Sequence, residues 1–194
     1  LKEFSNNTIV TADDDVYYRN DWLEILYKYH KMYPQYIIAH RVHRAKIYDN
    51  NELRPYKKWQ MRISDYSASF LNFFTGAGGV LYPPNSLYKD VLDESLFLRH
   101  APSADDVWLW AMAVLNRTKI IVPQCCQKQL KYIEGTQNCN IENKPLHQSN
   151  VEEGGNDIQI GNVLRLYPEI KNIYSNDILL KKNIVFITDT TYLI

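Results

Sequence analysis

The sequence lacks a long apolar run, an excess of charge of either sign and a regular cysteine pattern. No stretch approaches the roughly 18 apolar residues that a membrane-spanning helix needs. The opening residues, LKEFSNN, lack the basic and then apolar order of a signal peptide. The 22 basic and 22 acidic residues cancel, so no long-range field attracts a polyanion. We therefore expect no transmembrane segment and no nucleic-acid partner.

Cysteine is scarce as well, with only Cys125, Cys126 and Cys139. An odd number without zinc spacing favours free thiols, and so a reducing cytoplasm, over a disulfide framework. What is abundant is apolar material, because 45% of the 194 residues are hydrophobic. This is enough for one folded domain with a sizeable core, and it excludes wholesale disorder.

The pattern of strand and helix signals alternates along the chain. A β-branched run at 8–12 predicts a buried strand, and an amphipathic pattern predicts a helix from Asn20 or Asp21 to Pro34. Ser103 is the expected N-cap of a second helix that reaches Asn116. Further strands are expected at 36–42, 45–48, 70–82, 119–122 and 184–188. This alternation predicts an α/β layered domain.

Three adjacent carboxylates, Asp13, Asp14 and Asp15, follow the first predicted strand within the segment 11–15. A loop at the carboxyl end of a buried strand is where α/β folds place ligands. Adjacent carboxylates repel one another unless a cation is near, and Mn²⁺ or Mg²⁺ suits oxygen ligands. The alternative is an acidic turn that caps the next helix.

A second acidic pair, Asp105 and Asp106, lies at the predicted helix start 103–106. Acids in a first helical turn interact favourably with the helix dipole, which is a purely structural explanation. The same position suits a carboxylate that accepts a proton from a hydroxyl nucleophile. Between the two acidic segments, a glycine turn at 75–84 indicates close backbone approach.

Together these segments resemble a known family. Segment 11–15 resembles the Asp-x-Asp motif of nucleotide-sugar-dependent glycosyltransferases of the GT-A fold, and Ala104-Asp105-Asp106 resembles their x-Glu-Asp motif. The stretch from NFFTGAGGVLYPP to PSADDVWLWAMAVLN is similar to bacterial glycosyltransferases of capsule, lipopolysaccharide or exopolysaccharide assembly. The resemblance implies a Rossmann-like mixed sheet flanked by helices and one catalytic region over 1–194.

The resemblance also implies roles for the acidic residues. Asp13 and Asp15 would hold Mn²⁺ or Mg²⁺ against the donor diphosphate, and Asp13 and Asp14 would face the donor. Asp106 would be the general base, with Asp105 at the glutamate position of the motif. Such a base would invert the anomeric carbon, whereas in a retaining enzyme Asp106 would position substrate instead.

Other parts of the donor site follow from the same resemblance. Trp59 or Trp108 would stack on a sugar, although either residue type is usually in a core. His147, within a polar lid predicted at 134–155, would complete the metal site; a loop histidine is otherwise usually solvated. Three glycines would admit the sugar closely: Gly76, Gly78 and Gly79.

The implied reaction moves a sugar from a nucleoside diphosphate, with UDP expected, to a saccharide or lipid-linked saccharide in bacterial surface-polysaccharide synthesis. Such enzymes act in the cytoplasm or at the inner face of the membrane. GT-A enzymes have about a hundred further residues before Asp-x-Asp. We therefore expect an incomplete domain, whose exposed sheet edge invites self-association. The alternatives are a two-metal phosphohydrolase and an inert sugar-binding or interaction domain.

Overall fold

The computed structural model describes residues 6–127, 129–136 and 148–183. This part of the chain folds into short strands and five α-helices. The strands are β1 (Ile9–Thr11), β2 (Val16–Tyr17), β3 (Ile37–Ala39), β4 (Val42–Arg44), β5 (Asn72–Phe74), β6 (Val80–Tyr82), β7 (Ile120–Ile121) and β8 (Lys131–Tyr132). The helices are α1 (Trp22–Met32), α2 (Glu94–His100), α3 (Asp105–Leu115), α4 (Gly155–Leu166) and α5 (Glu169–Asn183).

The central sheet is mixed and has the order β1-β6-β3-β7. β6 pairs antiparallel with both β1 and β3, while β3 and β7 are parallel. Consequently β1, β3 and β7 all run in one direction and end at the same edge. This confirms the predicted α/β class with a mixed sheet. Among the described strands β1 pairs only with β6, and the predicted self-association through a sheet edge stays a prediction.

Side chains along each strand point alternately to the two faces of the sheet, so both faces carry apolar residues. Helices cover both of these faces. On one face Ile38, Leu81 and Ile121 pack against Leu26 of α1. On the other face their neighbours Ile37, Val80 and Ile120 join the main core with α3, α4 and α5. α3 is buried almost all round, which explains its nearly continuous apolar sequence. The result is a three-layer arrangement, with α1 on one face of the sheet and α3, α4 and α5 on the other.

Two local predictions are wrong. Ser103 does not cap α3: Ala104 occupies the N-cap position, without a side-chain cap bond. The Ser103 hydroxyl instead donates to Asn150 Oδ1 at 3.0 Å and accepts from Gln159 Nε2. Residues 45–48 do not form a strand, because only one isolated bridge joins Ile47 to Leu53. The chain turns back immediately, and Tyr48 N donates to Glu52 O at 2.8 Å.

Other boundaries differ more mildly. The expected strand at 36–42 is divided: β3 stays in the central sheet, and β4 leaves it to pair with β5. Helix α2 was not predicted, and its N-cap Asp93 accepts a hydrogen bond from Leu96 N at 3.0 Å. The strand expected at 184–188 lies outside the described residues.

Candidate active site

The acidic loop after β1 lies at the carboxyl edge of the sheet and is held by backbone bonds. Asp13 N donates to the Tyr18 hydroxyl at 2.8 Å, and this hydroxyl donates to Ala77 O at 3.0 Å. The Asp15 carbonyl accepts from Ile133 N at 2.8 Å, next to the β2 and β8 pair. The loop is therefore attached both to the glycine turn and to the segment around β8.

The second acidic segment reaches the same place from α3. Asp106 is partly buried, and its Oδ1 accepts from Gly76 N at 2.7 Å. Asp105 is exposed and accepts from Asp106 N at 3.0 Å. Hence the first turn of α3 presents two carboxylates beside the glycine turn.

The glycine turn explains how these segments come so close together. A Cβ on Gly76 would lie 3.1 Å from Asp106 Oδ1. One on Gly79, where φ is +89°, would lie 2.3 Å from the Trp22 indole nitrogen. One on Gly78 would lie 2.5 Å from Arg41 Cβ. The contacts that require glycine here are with protein atoms, and the predicted contact of this turn with a sugar stays a prediction.

The electrostatics show that the two acidic segments face each other. Burial raises the pKa of Asp13, and the charges of Asp15, Asp105 and Asp14 raise it further. Burial also raises the pKa of Asp106 to about 7, with Asp105 and Asp13 adding to the increase. The Gly76 hydrogen bond opposes this increase but does not cancel it. Asp106 therefore titrates near neutral pH, as a general base requires.

Four tyrosines and one arginine also belong to this site, and the sequence analysis did not identify them. Arg41 follows β3, so its position after a parallel strand was a usable signal. Its charge opposes the increase in the pKa of Asp106. The tyrosines gave no comparable signal. Tyr18 follows the acidic segment closely and Tyr82 lies within 75–84, but a tyrosine at either place is equally typical of a core, and Tyr56 and Tyr132 are distant along the chain. The pKa of each is raised by burial first, with Asp13, Asp15 or Asp106 contributing: Tyr18, Tyr56, Tyr82 and Tyr132.

The tryptophans proposed for sugar stacking lie in the core. Trp59 is 5% exposed, and its ring packs against both Tyr56 and Phe73 with centroid distances of 4.9 and 5.4 Å. Its indole N–H donates to Arg54 O at 2.7 Å. Trp108 is 3% exposed. The structure therefore corrects the stacking expectation for both residues, since each ring is buried against other aromatic side chains.

The predicted polar lid is described only in part. His147 lies outside the described residues, as does most of 134–155. The described end, Gln148–Glu152, forms a π-helical turn beside the start of α3. There Asn150 Nδ2 donates to Ser103 O at 2.6 Å. The chain just before α4 is thus attached two residues ahead of Asp105.

The fit of a divalent cation depends on the donors that this edge provides. Within 6–127, 129–136 and 148–183, no three His, Cys, Asp or Glu side chains form a preformed metal site. Asp13 and Asp15 nevertheless supply hard oxygen donors, and the charge of Asp15 adds to the increase in the pKa of Asp13 that burial causes. Mg²⁺ is commonly held by one or two carboxylates together with substrate phosphates. The residues present fit a metal of this kind, completed by a phosphate-bearing substrate.

Comparisons with known proteins give no family assignment. No protein-family model, curated protein or solved structure matches the chain. In the described part of the chain, no helix is both long enough and apolar enough to span a membrane.

Proposed function

We propose that this chain is the catalytic region of a metal-dependent glycosyltransferase with a GT-A-like fold, which transfers a sugar from a nucleoside diphosphate to a hydroxyl acceptor. One observation supports this most strongly. Two acidic segments that are distant in sequence meet at the carboxyl edge of the sheet, where the pKa of Asp106 is about 7. One segment suits a metal and diphosphate, and the other suits a proton acceptor.

The proposed roles follow from the charge and position of each carboxylate. Asp13 and Asp15 hold Mn²⁺ or Mg²⁺, which when bound stabilises the negative charge that develops on the departing diphosphate. Asp106 accepts the proton of the acceptor hydroxyl. Because Gly76 N–H already binds Asp106 Oδ1, the carboxylate is oriented before substrate arrives.

The proposed transfer needs only the donor, the acceptor hydroxyl and Asp106 to account for every bond and proton. The acceptor oxygen forms a bond to the anomeric carbon while its proton moves to Asp106. The bond from the anomeric carbon to the diphosphate oxygen breaks, and the nucleoside diphosphate leaves with that electron pair. In-line attack of this kind inverts the anomeric carbon. We propose a UDP-sugar as donor and a saccharide or lipid-linked saccharide of bacterial surface polysaccharide as acceptor.

A thermal-shift titration with UDP, Mn²⁺ and both together tests the site directly. A ligand that binds only the folded state raises the melting temperature. We expect a shift that needs both ligands and is lost in Asp15→Asn. The matched control is Asp49→Asn, an exposed aspartate in a turn, which should keep the full shift.

Donor turnover then separates the competing functions. We expect release of UDP from a UDP-sugar to depend on Asp106 and to be faster with a saccharide acceptor. Cleavage of phosphoesters without any sugar acceptor would instead identify a phosphohydrolase. Metal and UDP binding without turnover of any donor would identify a binding domain and contradict the proposal.

A further inference from the structure

Arg41 places a positive charge in the acidic edge described above. It follows β3, which runs in the same direction as β1, so Arg41 leaves the sheet at the same edge as the acidic loop. Its charge opposes the increase in the pKa of Asp106 and also that of Tyr132. Arg41 Nη1 donates to Thr75 Oγ1, and the next residue, Gly76, donates its N–H to Asp106 Oδ1, so the guanidinium lies near Asp106.

The segment that contains Tyr132 contacts the acidic loop from another side. The charges of Asp15 and Asp13 both act on the Tyr132 hydroxyl. The next residue, Ile133, donates its N–H to the Asp15 carbonyl at 2.8 Å. The backbone at Tyr132, which pairs with Val16, therefore lies beside the acidic loop.

Arg41 is fixed in place from several directions. Its Nη1 donates to Thr75 Oγ1 at 2.8 Å, and Thr75 N donates to Arg41 O at 3.0 Å. Gly78 packs so closely that any Cβ there would lie 2.5 Å from Arg41 Cβ. A guanidinium has five N–H donors, and the bond to Thr75 uses one of them. The residue is therefore a preorganised cation with further donors.

We propose that Arg41 binds one phosphate of the substrate diphosphate, while a divalent cation at Asp13 and Asp15 binds the other. This inference rests on the proposed function, because it assigns the second half of the diphosphate site. The planar guanidinium fork matches phosphate oxygens, and a diphosphate has two anionic groups for two cationic partners.

A simpler role for Arg41 would be to neutralise the carboxylates around it. The two roles predict opposite effects of Arg41→Gln on metal and on phosphate. Loss of a purely neutralising cation strengthens binding of Mn²⁺ alone and leaves the affinity for inorganic pyrophosphate unchanged. Loss of a phosphate ligand weakens pyrophosphate binding in the presence of saturating Mn²⁺.

Isothermal titration of inorganic pyrophosphate into the Mn²⁺-loaded chain measures this difference. We expect Arg41→Gln to weaken pyrophosphate binding by about 10- to 100-fold, the usual effect of losing charge-assisted hydrogen bonds. Arg41→Lys keeps the charge without the fork and should give an intermediate loss. The control is Arg165→Gln, an exposed arginine of α4 whose side chain bonds to Asn162, and its affinity should not change.

Thr75→Val provides a second test that keeps Arg41 itself. It removes the hydroxyl that orients the guanidinium, and we expect pyrophosphate affinity to fall severalfold, by less than in Arg41→Gln. Unchanged pyrophosphate affinity in Arg41→Lys and Thr75→Val would overturn the inference even if Arg41→Gln failed to fold.

The closing experiment separates this inference from the proposed function. Donor kinetics with a UDP-sugar are measured for the wild type, Arg41→Lys and Asp106→Asn. A raised donor KM in Arg41→Lys, with Asp106→Asn affecting kcat, supports the diphosphate role. Sugar transfer by Arg41→Lys with an unchanged donor KM would contradict the phosphate-binding role of Arg41 and would still support the glycosyltransferase function. Pyrophosphate binding that depends on Arg41, without any sugar transfer, would contradict the proposed glycosyltransferase function and would still support the role of Arg41.

Discussion

Charged groups are arranged in opposite ways at two places in this molecule. Beside α5, Lys119 Nζ lies 2.5 Å from Asp177 Oδ1 in a largely buried ion pair. At the carboxyl edge of the sheet, the Asp106 carboxyl instead has Asp105 and Asp13 near it, and like charge adds to the increase in its pKa. An ion pair is explained by stability, whereas clustered like charges cost stability. The acidic edge therefore indicates function.

Removing the Asp106 charge gives the largest expected effect. Asp106→Asn keeps an oxygen that accepts from Gly76 N–H but cannot accept the acceptor proton. We expect kcat for sugar transfer to fall by about 10²- to 10⁴-fold, the usual contribution of a general base. In the wild type, activity should rise with pH to a plateau above about 7. A variant with wild-type kcat and the same pH profile would contradict the base assignment.

The glycine turn that supports the acidic edge should be nearly as sensitive to change. Gly79→Ala places a Cβ 2.3 Å from the Trp22 indole nitrogen at a φ of +89°, and we expect a loss of about 2–4 kcal/mol in the free energy of unfolding. Gly161→Ala in α4 is the matched control, because a Cβ there has nothing within 4 Å. It should stabilise the helix by about 0.5–1 kcal/mol. Chemical denaturation of both variants measures the contrast, and equal effects would show that the turn is not tightly packed.

The stability cost of the acidic edge should depend on pH. The folded-state pKa of Asp106 is about 7, above the ordinary aspartate value of 3.8. Folding therefore favours the protonated form, and this contribution is complete below about pH 4 and lost as the pH rises through about 7. We expect Asp106→Asn to melt about 2–4 °C above the wild type at pH 8, with the gap closing near pH 4. The comparison is made in metal-free buffer, since a bound cation would offset the repulsion. A gap that stays constant with pH would contradict this assignment.

Removing the charge of Asp177 from its ion pair with Lys119 should lower the stability, the opposite of the effect expected for Asp106→Asn at pH 8, and the change should be the smallest of those predicted. Asp177→Asn leaves Lys119 without its carboxylate, and we expect a loss of about 1 kcal/mol in the free energy of unfolding at pH 7. Lys171 and Glu52 form a more exposed pair, and Glu52→Gln is the milder control, with an expected loss below about 0.5 kcal/mol. A stabilising effect of Asp177→Asn would remove the contrast between the two regions.

Local patterns predicted the elements around the site well. The strand before the acidic loop, α1 and α3 all appear where hydrophobic periodicity placed them. The prediction that Ser103 caps α3 was wrong because cap preferences describe isolated segments. In the fold, the Ser103 hydroxyl instead bonds to Asn150 and Gln159, which lie 47 and 56 residues after it in the chain. The division of strand 36–42 between two sheets is likewise a tertiary effect, since β5 provides a second pairing partner.

The site was also predictable only in part, because contacts between residues that are distant in sequence decide which side chains belong to it. The acidic segments and glycines were identified because their residue types are chemically distinctive wherever they occur. Trp59 was assigned to a ligand because an aromatic ring suits either a sugar or a core, and only its packing against Tyr56 and Phe73 distinguishes these. Tyr132 was missed because nothing near it in sequence indicates that Asp13 and Asp15 lie beside it.

The sequence by itself determined the α/β class, the order of the two acidic segments and the need for glycine between them. These follow from side-chain periodicity and from the intrinsic chemistry of each residue, which act over a few positions. The tertiary structure decided that Asp13 comes close enough to Asp106 to add to the increase in its pKa that burial causes, and that Arg41 lies near them. Electrostatic and packing energies depend on distances in space, and those exist only once β1, β3 and α3 have been brought to one edge of the folded sheet.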